Sequence, residues 1–413
     1  MKKILFIAAL VLGSFATKAA APKLFPGVWQ AKLHREDGAQ IVFNFDVQTG
    51  KNGKQVIYII NAKERMKVDE IRVTKDSAFI KMPFFDNEFK AAFTKHGGLE
   101  GLWIRHLADN DVSIRFTAEP RNNVRFKTSE APKFNVEGRW PTYFFNPNRK
   151  DSSFAIGEFQ QDKGGIVTGT FLTTSGDYRY LQGVVDGDKL KLSTFDGSHA
   201  YLFEATITDE NTLKDGIFYA GITAKENFVA NKDANAKLPD ERTLNTLRPG
   251  ESKLDFTYPD LNGKKVSIND ARYKNKVVIV TVGGSWCPNC MDETAYLTKW
   301  YEKNKSRGVE IIALAYERTT DYEKSRKAAE GFAKRFNVTY PVLITQVTPG
   351  DPQKTEKTLP QLTGLKGFPT SIFIDKKGNV REVHTGFSGP GTGEHYEEYK
   401  RNLDKLVSDL LAE

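Results

Sequence analysis

The chain of 413 residues has room for two to four domains at roughly 100–200 residues each. With 39% apolar and 27% charged residues, 28 Phe and 15 Tyr, it is neither disordered nor fibrous and carries enough bulky material for sizeable cores. Its formal charge of +8, from 60 basic and 52 acidic side chains, is spread along the sequence rather than gathered in Lys/Arg runs, a pattern that argues against a nucleic-acid partner.

The first predicted element is a secretory signal peptide over residues 1–21. Met1-Lys2-Lys3 precedes the apolar run Ile4 to Leu12, then Gly13-Ser14 and Ala19-Ala20-Ala21: a basic start, a short apolar centre and an A-x-A-like exit. The run is short for a ~30 Å hydrocarbon core, which favours cleavage over a retained anchor, and no Cys follows it to carry a lipid. Removal takes Lys2, Lys3 and Lys18 and leaves a charge of +5. No later stretch offers about 18 consecutive apolar residues. The expected product is exported, soluble and periplasmic, and does not span the membrane once processed.

From Lys23 to Asp240 short aromatic and β-branched runs alternate with period two, as in Ile41-Val42-Phe43-Asn44-Phe45-Asp46-Val47 and Lys189-Leu190-Lys191-Leu192, and read as antiparallel strands. The region repeats itself. Gly27-Val28-Trp29 recurs as Gly138-Arg139-Trp140, Phe43-Asn44-Phe45 as Phe154-Ala155-Ile156, and Phe84-Phe85-Asp86 as Thr194-Phe195-Asp196, at offsets of 110 or 111 positions. This predicts an all-β duplicated region, sandwich or open barrel in type, with repeats over 23–130 and 131–235. Residues 236–252, polar and marked by Pro239, Pro249 and Gly250, read as a linker.

Residues 253–413 follow another grammar. Val277 to Val282 and Val309 to Leu314 are buried-strand runs around a helical stretch with Tyr296, Leu297 and Trp300 at helical spacing. A helix near Tyr322 to Phe336, strands at Pro341 to Thr345 and Thr370 to Asp375, a strand to His384 and a closing helix with Tyr396, Tyr399, Leu403, Leu406 and Leu410 on one stripe complete an α/β unit with a central mixed sheet.

The two cysteines of the chain, Cys287 and Cys290, stand where a buried strand gives way to a helix. Three positions apart, they close too small a loop to restrain the unfolded chain much, so chemistry is the better reason for them. At a helix N-terminus Cys287 should titrate below the free-thiol value of about 8.5 and act as nucleophile, while Cys290, one turn on, resolves the mixed disulfide. Zinc needs about four ligands, which two cysteines and six scattered His do not supply, so no metal or other cofactor is expected.

Trp286-Cys287-Pro288-Asn289-Cys290, together with Gly367-Phe368-Pro369-Thr370-Ser371-Ile372-Phe373-Ile374-Asp375, resembles the TlpA/ResA-like exported thioredoxins, with their W-C-x-x-C-x-x-E active site and G-x-P-T-x-x-x-x-D strand. The resemblance covers about Leu254 to Glu413. It implies a thioredoxin-like fold, a thiol-disulfide oxidoreductase, a cis peptide before Pro369, and a groove between the Cys287 and Phe368-Pro369 loops where an extended substrate segment pairs as an added strand. Trp286, Pro288, Phe368 and Pro369 are then the expected substrate contacts; for Trp286, packing is an equal alternative. Glu293 falls on the family's glutamate, where it can exchange a proton with Cys290; the alternative is a solvated helix residue. Thr281 stands where thioredoxins carry a buried acid, and Ala295 replaces a proline common in the family. Thr345 to Leu359 reads as an insertion beside the active-site end of the sheet.

The expected function is an exported thiol-disulfide oxidoreductase that reduces protein disulfides. Its partners would be a protein disulfide and an upstream, membrane-bound thiol donor. The alternatives are a disulfide-donating oxidase, since Pro288 follows the first Cys, and a partner-binding module with a regulatory dithiol. The β repeats are expected to act as an independent recruiting domain on a flexible tether.

Overall fold

The computed structural model describes residues 23–107, 110–146, 148 and 152–413; the expected signal peptide lies outside them. Among these residues are two nine-stranded sheets, a five-stranded mixed sheet and four α-helices.

The period-two pattern sets the β units. In the strand Gly27–His34, Trp29, Ala31 and Leu33 are fully buried while Lys32 and His34 are not. The first sheet runs in order from Glu64–Val68 back to Gly27–His34, then from Asp111–Pro120 back to Glu70–Val73, and no strand pairing joins its two ends among the described residues. The second unit, from Gly138 to Asn231, repeats this arrangement with one difference. Its strand Ile166–Thr173 pairs with both Ser152–Gln161 and Leu181–Asp186, which closes the sheet into a barrel. The repeat extends to single bonds: the Trp29 indole N–H donates to Phe25 C=O at 2.8 Å, and that of Trp140 to Val136 C=O at 2.8 Å. The two units are not separate bodies. Phe195 of the second stacks on Phe43 of the first at 4.2 Å, and Phe195, Leu202 and Tyr219 belong to the first unit's core.

The C-terminal unit is the expected thioredoxin-like α/β fold. Strands Val342–Ile344, Val309–Ala315 and Val277–Gly283 are parallel neighbours, and Thr370–Ile374 and Val380–Thr385 extend the sheet antiparallel. Val277–Gly283 is central and apolar because both faces are covered. On one face lie α1 (Pro288–Asn304) and, by Tyr399, Leu403, Val407 and Leu410, the last helix; between them in sequence are α2 (Tyr322–Phe336) and α3 (Lys354–Thr358), and the last is α4 (Glu394–Ala412).

The expected free linker is corrected. Asn245 is fully buried; its Nδ2 donates to Thr385 Oγ1 at 2.6 Å and its Oδ1 accepts from the Lys366 N–H at 3.0 Å. Leu247 bridges to Leu362, and the Arg248 N–H donates to Gln361 C=O at 2.8 Å. A polar segment lacks side chains for a core of its own, but its backbone and amide groups pair with a neighbour's edge equally well.

Candidate active site

The strand Val277–Gly283 delivers the chain to a loop, Gly284 to Trp286, from which α1 starts. Cys287 is the N-cap of that helix: its backbone is extended, and its Sγ accepts from the Cys290 N–H at 3.2 Å, a bond a Ser or Asp oxygen usually takes. Pro288, at the first helical position, has no N–H to leave unpaired. Cys287 and Cys290 form a disulfide with Cα atoms 5.2 Å apart, and each residue is only 4% exposed.

Glu293, one turn beyond Cys290, is 2% exposed, so it is not a solvated helix residue. Its carboxylate accepts from Ser371 Oγ at 2.8 Å. Burial pushes it up to about 7, and the Ser371 bond opposes this only in part. Ser371 is the cross-strand partner of Thr281, so the position where thioredoxins carry an acid lies beside a carboxylate supplied by α1. Cys290, Glu293 and Thr281 line one cavity of about 40 Å³ whose remaining wall is mostly apolar, with Val282, Leu314, Phe332 and Val342.

Trp286 is half-buried. Its indole N–H donates to Tyr316 C=O at 2.6 Å, its ring meets Phe368 edge-on at 5.5 Å, and the Arg318 guanidinium lies 5.6 Å from its centroid. The Phe368–Pro369 peptide is cis. The Trp286–Phe368 contact thus brings the loop ahead of Cys287 against the cis-proline loop. The segment Thr345 to Leu359 includes α3, whose Thr358 Oγ1 accepts from the Tyr316 hydroxyl at 2.5 Å. Among the described residues no cluster of three His, Cys, Asp or Glu is placed to hold a metal ion.

Two groups at the site were not foreseen. Glu317 is buried and accepts from the Ser285 N–H at 2.9 Å and its Oγ at 2.7 Å, holding the loop ahead of Trp286. Burial raises its pKa, against the pull of the Ser285 bonds and Arg318. The signal was present: Gly283 pairs in parallel with Ala315, which sets Glu317 level with Ser285. The other is Asp292, between Cys290 and Glu293, which bonds the buried Arg179 of the second β unit. Burial pushes Asp292 up to about 6 although Arg179 opposes it. Nothing local in the sequence announces that contact.

Residues 248–400 match the redoxin family model. A thiol-disulfide oxidoreductase ResA of Bacillus thuringiensis subsp. konkukian is 34% identical over 154 residues, which cover 37% of this chain and 78% of that protein. The ResA of Bacillus subtilis is 28% identical over 141 residues, 34% of this chain and 69% of its own length. A solved thiol:disulfide interchange protein of the thioredoxin family from Chlorobium tepidum is 24% identical, covering 40% of this chain and 99% of its own, with a TM-score of 0.31.

Proposed function

Because the chain belongs, through residues 248–400, to the redoxin family of thiol-disulfide oxidoreductases, we propose that it reduces protein disulfides by a two-cysteine cycle in the periplasm. The observation that carries this reading is the placement of Cys287 Sγ at the N-terminus of α1, disulfide-linked to Cys290 in front of the buried Glu293. Export is supported by the Met1-Lys2-Lys3 start and the apolar run behind it.

In the reduced chain the unpaired N–H groups of the helix end favour the Cys287 thiolate. It attacks one sulfur of the partner disulfide; a Cys287–partner bond forms, the partner S–S bond breaks, and the other partner sulfur leaves as thiolate. Glu293, held near neutrality by burial, takes the proton of Cys290. The Cys290 thiolate then attacks Cys287 Sγ, the intramolecular disulfide forms, and the second partner thiolate leaves and picks up a proton. Two electrons pass to the partner, and an upstream thiol donor, expected at the membrane, restores the dithiol.

The test is trapping. The full chain carrying Cys290→Ser should hold insulin as a stable mixed disulfide on Cys287, seen by mass spectrometry of the non-reduced complex, and Cys287→Ser should hold none. Absence of the adduct in the first variant sinks the reductase cycle. Faster transfer of the oxidised disulfide to a reduced protein than reduction of insulin would favour the oxidase direction instead.

A further inference from the structure

The second β unit reaches into the site. After the strand Ile166–Thr173 the chain turns at Thr174 and Ser175 into the two-residue strand Gly176–Asp177, and this hairpin tip lies against Asn289, between the two cysteines in the first turn of α1. The side-chain amide of Asn289, oriented to satisfy both its atoms, pairs with the N–H and the C=O of Asp177 at 3.2 Å each, as a neighbouring strand would. The Asp177 carboxylate accepts from the Gly389 N–H at 2.8 Å. The approach is too close for side chains. A Cβ on Gly176, whose φ is +144°, would stand 1.9 Å from the end of the Asn289 side-chain amide, and one on Gly386, φ +90°, 2.9 Å from the Ser175 carbonyl carbon. Gly386 in turn donates its N–H to Pro369 C=O at 2.7 Å. The backbone of Thr174 to Asp177 therefore fills the space between the cysteine loop and the cis-proline loop.

One anchor holds the turn. Arg179, buried and at φ +58°, bonds Glu64 of the first β unit and Asp292 of α1, and its Nε lies 3.2 Å from Asp196 Oδ2 of its own unit. Two of these three carboxylates belong to the β units, so Arg179 stays compensated if the contact with α1 is broken. Lifting the turn breaks the Asp292 pair, the two Asn289 bonds and the Gly389 bond. Thr174, Ser175, Gly176 and Asp177 carry no large apolar side chain that would have to leave a core.

We propose that the Thr174–Asp177 turn is an intramolecular occupant of the substrate groove that sets which disulfides reach Cys287: a protein disulfide, which needs the groove, reacts only when the turn lifts, whereas a small disulfide depends on it less. The inference rests on the two-cysteine reading above. A competitor built into the chain lowers the apparent affinity for a partner by the fraction of molecules in which the groove is free.

The experiment compares full-length wild type with Gly176→Ala, whose added methyl must push the Asn289 amide off Asp177. Prereduced protein is assayed with insulin and with 2-hydroxyethyl disulfide. The expected result is a rise of about tenfold with insulin, the change when an occupant present in roughly nine molecules of ten is removed, and a clearly smaller rise with the small disulfide. Equal rises with both, no change, or a fall with insulin overturn the proposal. Hydrogen exchange on the oxidised wild type needs no variant: amides of residues 173–180 must be protected, and exchange at unstructured rates also overturns it. If neither protein reduces either substrate while the exchange shows the turn docked, it is the oxidoreductase reading that fails.

Discussion

The two β units share strand order and differ in one connection. In the first, the third strand, Gln55–Asn61, turns through Ala62 at φ +49° into Glu64–Val68, which folds back on it with Asn61 opposite Glu64. In the second, the equivalent strand, Ile166–Thr173, turns through Thr174 and Ser175, pairs for only two residues with Gly176–Asp177, and brings Arg179 to α1. The same slot of a duplicated scaffold thus adds an edge strand in one copy and makes a contact with a different fold in the other. Both slots meet at Arg179, since Glu64 is its partner from the first copy. The two copies share strand order and differ in a connection, the part of a fold that tolerates change.

The largest expected effect breaks this meeting point. Arg179→Ala leaves Glu64, Asp196 and Asp292 together without their cation and should lower the unfolding free energy by about 3–5 kcal/mol, read by urea denaturation. A loss below about 1 kcal/mol would show that the three carboxylates are solvated and that the two slots do not meet through this residue.

Next is the contrast in carboxylates. Asp196, in the β scaffold, is raised by burial but held down at about 2 by His199 and Arg179, whereas Glu293 stands at about 7 because burial wins. A carboxyl whose folded pKa exceeds its unfolded one contributes stability that is complete below the unfolded value and lost as pH rises through the folded one. Stability should therefore fall between pH 4.5 and about 7 through Glu293. Asp292, Asp177 and Glu317 act in the same direction. Glu293→Gln should remove part of that fall, leaving the variant more stable than wild type at about pH 8 by roughly 2–3 kcal/mol in thermal unfolding. The same variant should lose the inflection near pH 7 in the rate of mixed-disulfide release. A pH-independent release rate in the wild type would remove Glu293 from the proton path.

The smallest effect sharpens the likeness of the copies. Trp29→Phe and Trp140→Phe each leave one carbonyl without its donor and should cost about 1–3 kcal/mol apiece. A cost at one site and none at the other would mean that the matching bonds are coincidental.

The dithiol and its helix were legible because a buried strand, a glycine pair and Cys-x-x-Cys are local signals, and α2 runs over the span its spacing predicts. α1 begins at Pro288, ahead of the apolar stripe from Tyr296, because the cap and not the stripe decides where a helix starts. In the β region the tryptophans marked the repeat faithfully. The pair Phe84-Phe85-Asp86 and Thr194-Phe195-Asp196 was looser: the first lies in a turn, with φ +66° at Phe85, and the second ends a strand. What stayed hidden was every contact between units. Arg179 and Asp292 are 113 positions apart, and a buried ion pair leaves no periodicity in either segment.

Asn245 bears on where the catalytic module can be cut. It lies ahead of the first apolar residue of that fold, in a stretch whose composition suggests dispensable spacer, yet its amide pins Thr385 and Lys366 on either side of the cis-proline loop. Thr385 is the strand partner of Thr370, the residue that follows Pro369. A fragment started at residue 250 would discard this clip and free the cis-proline loop that packs on Trp286; the portable unit begins upstream of Asn245, at the short turn of helix Glu241–Thr243.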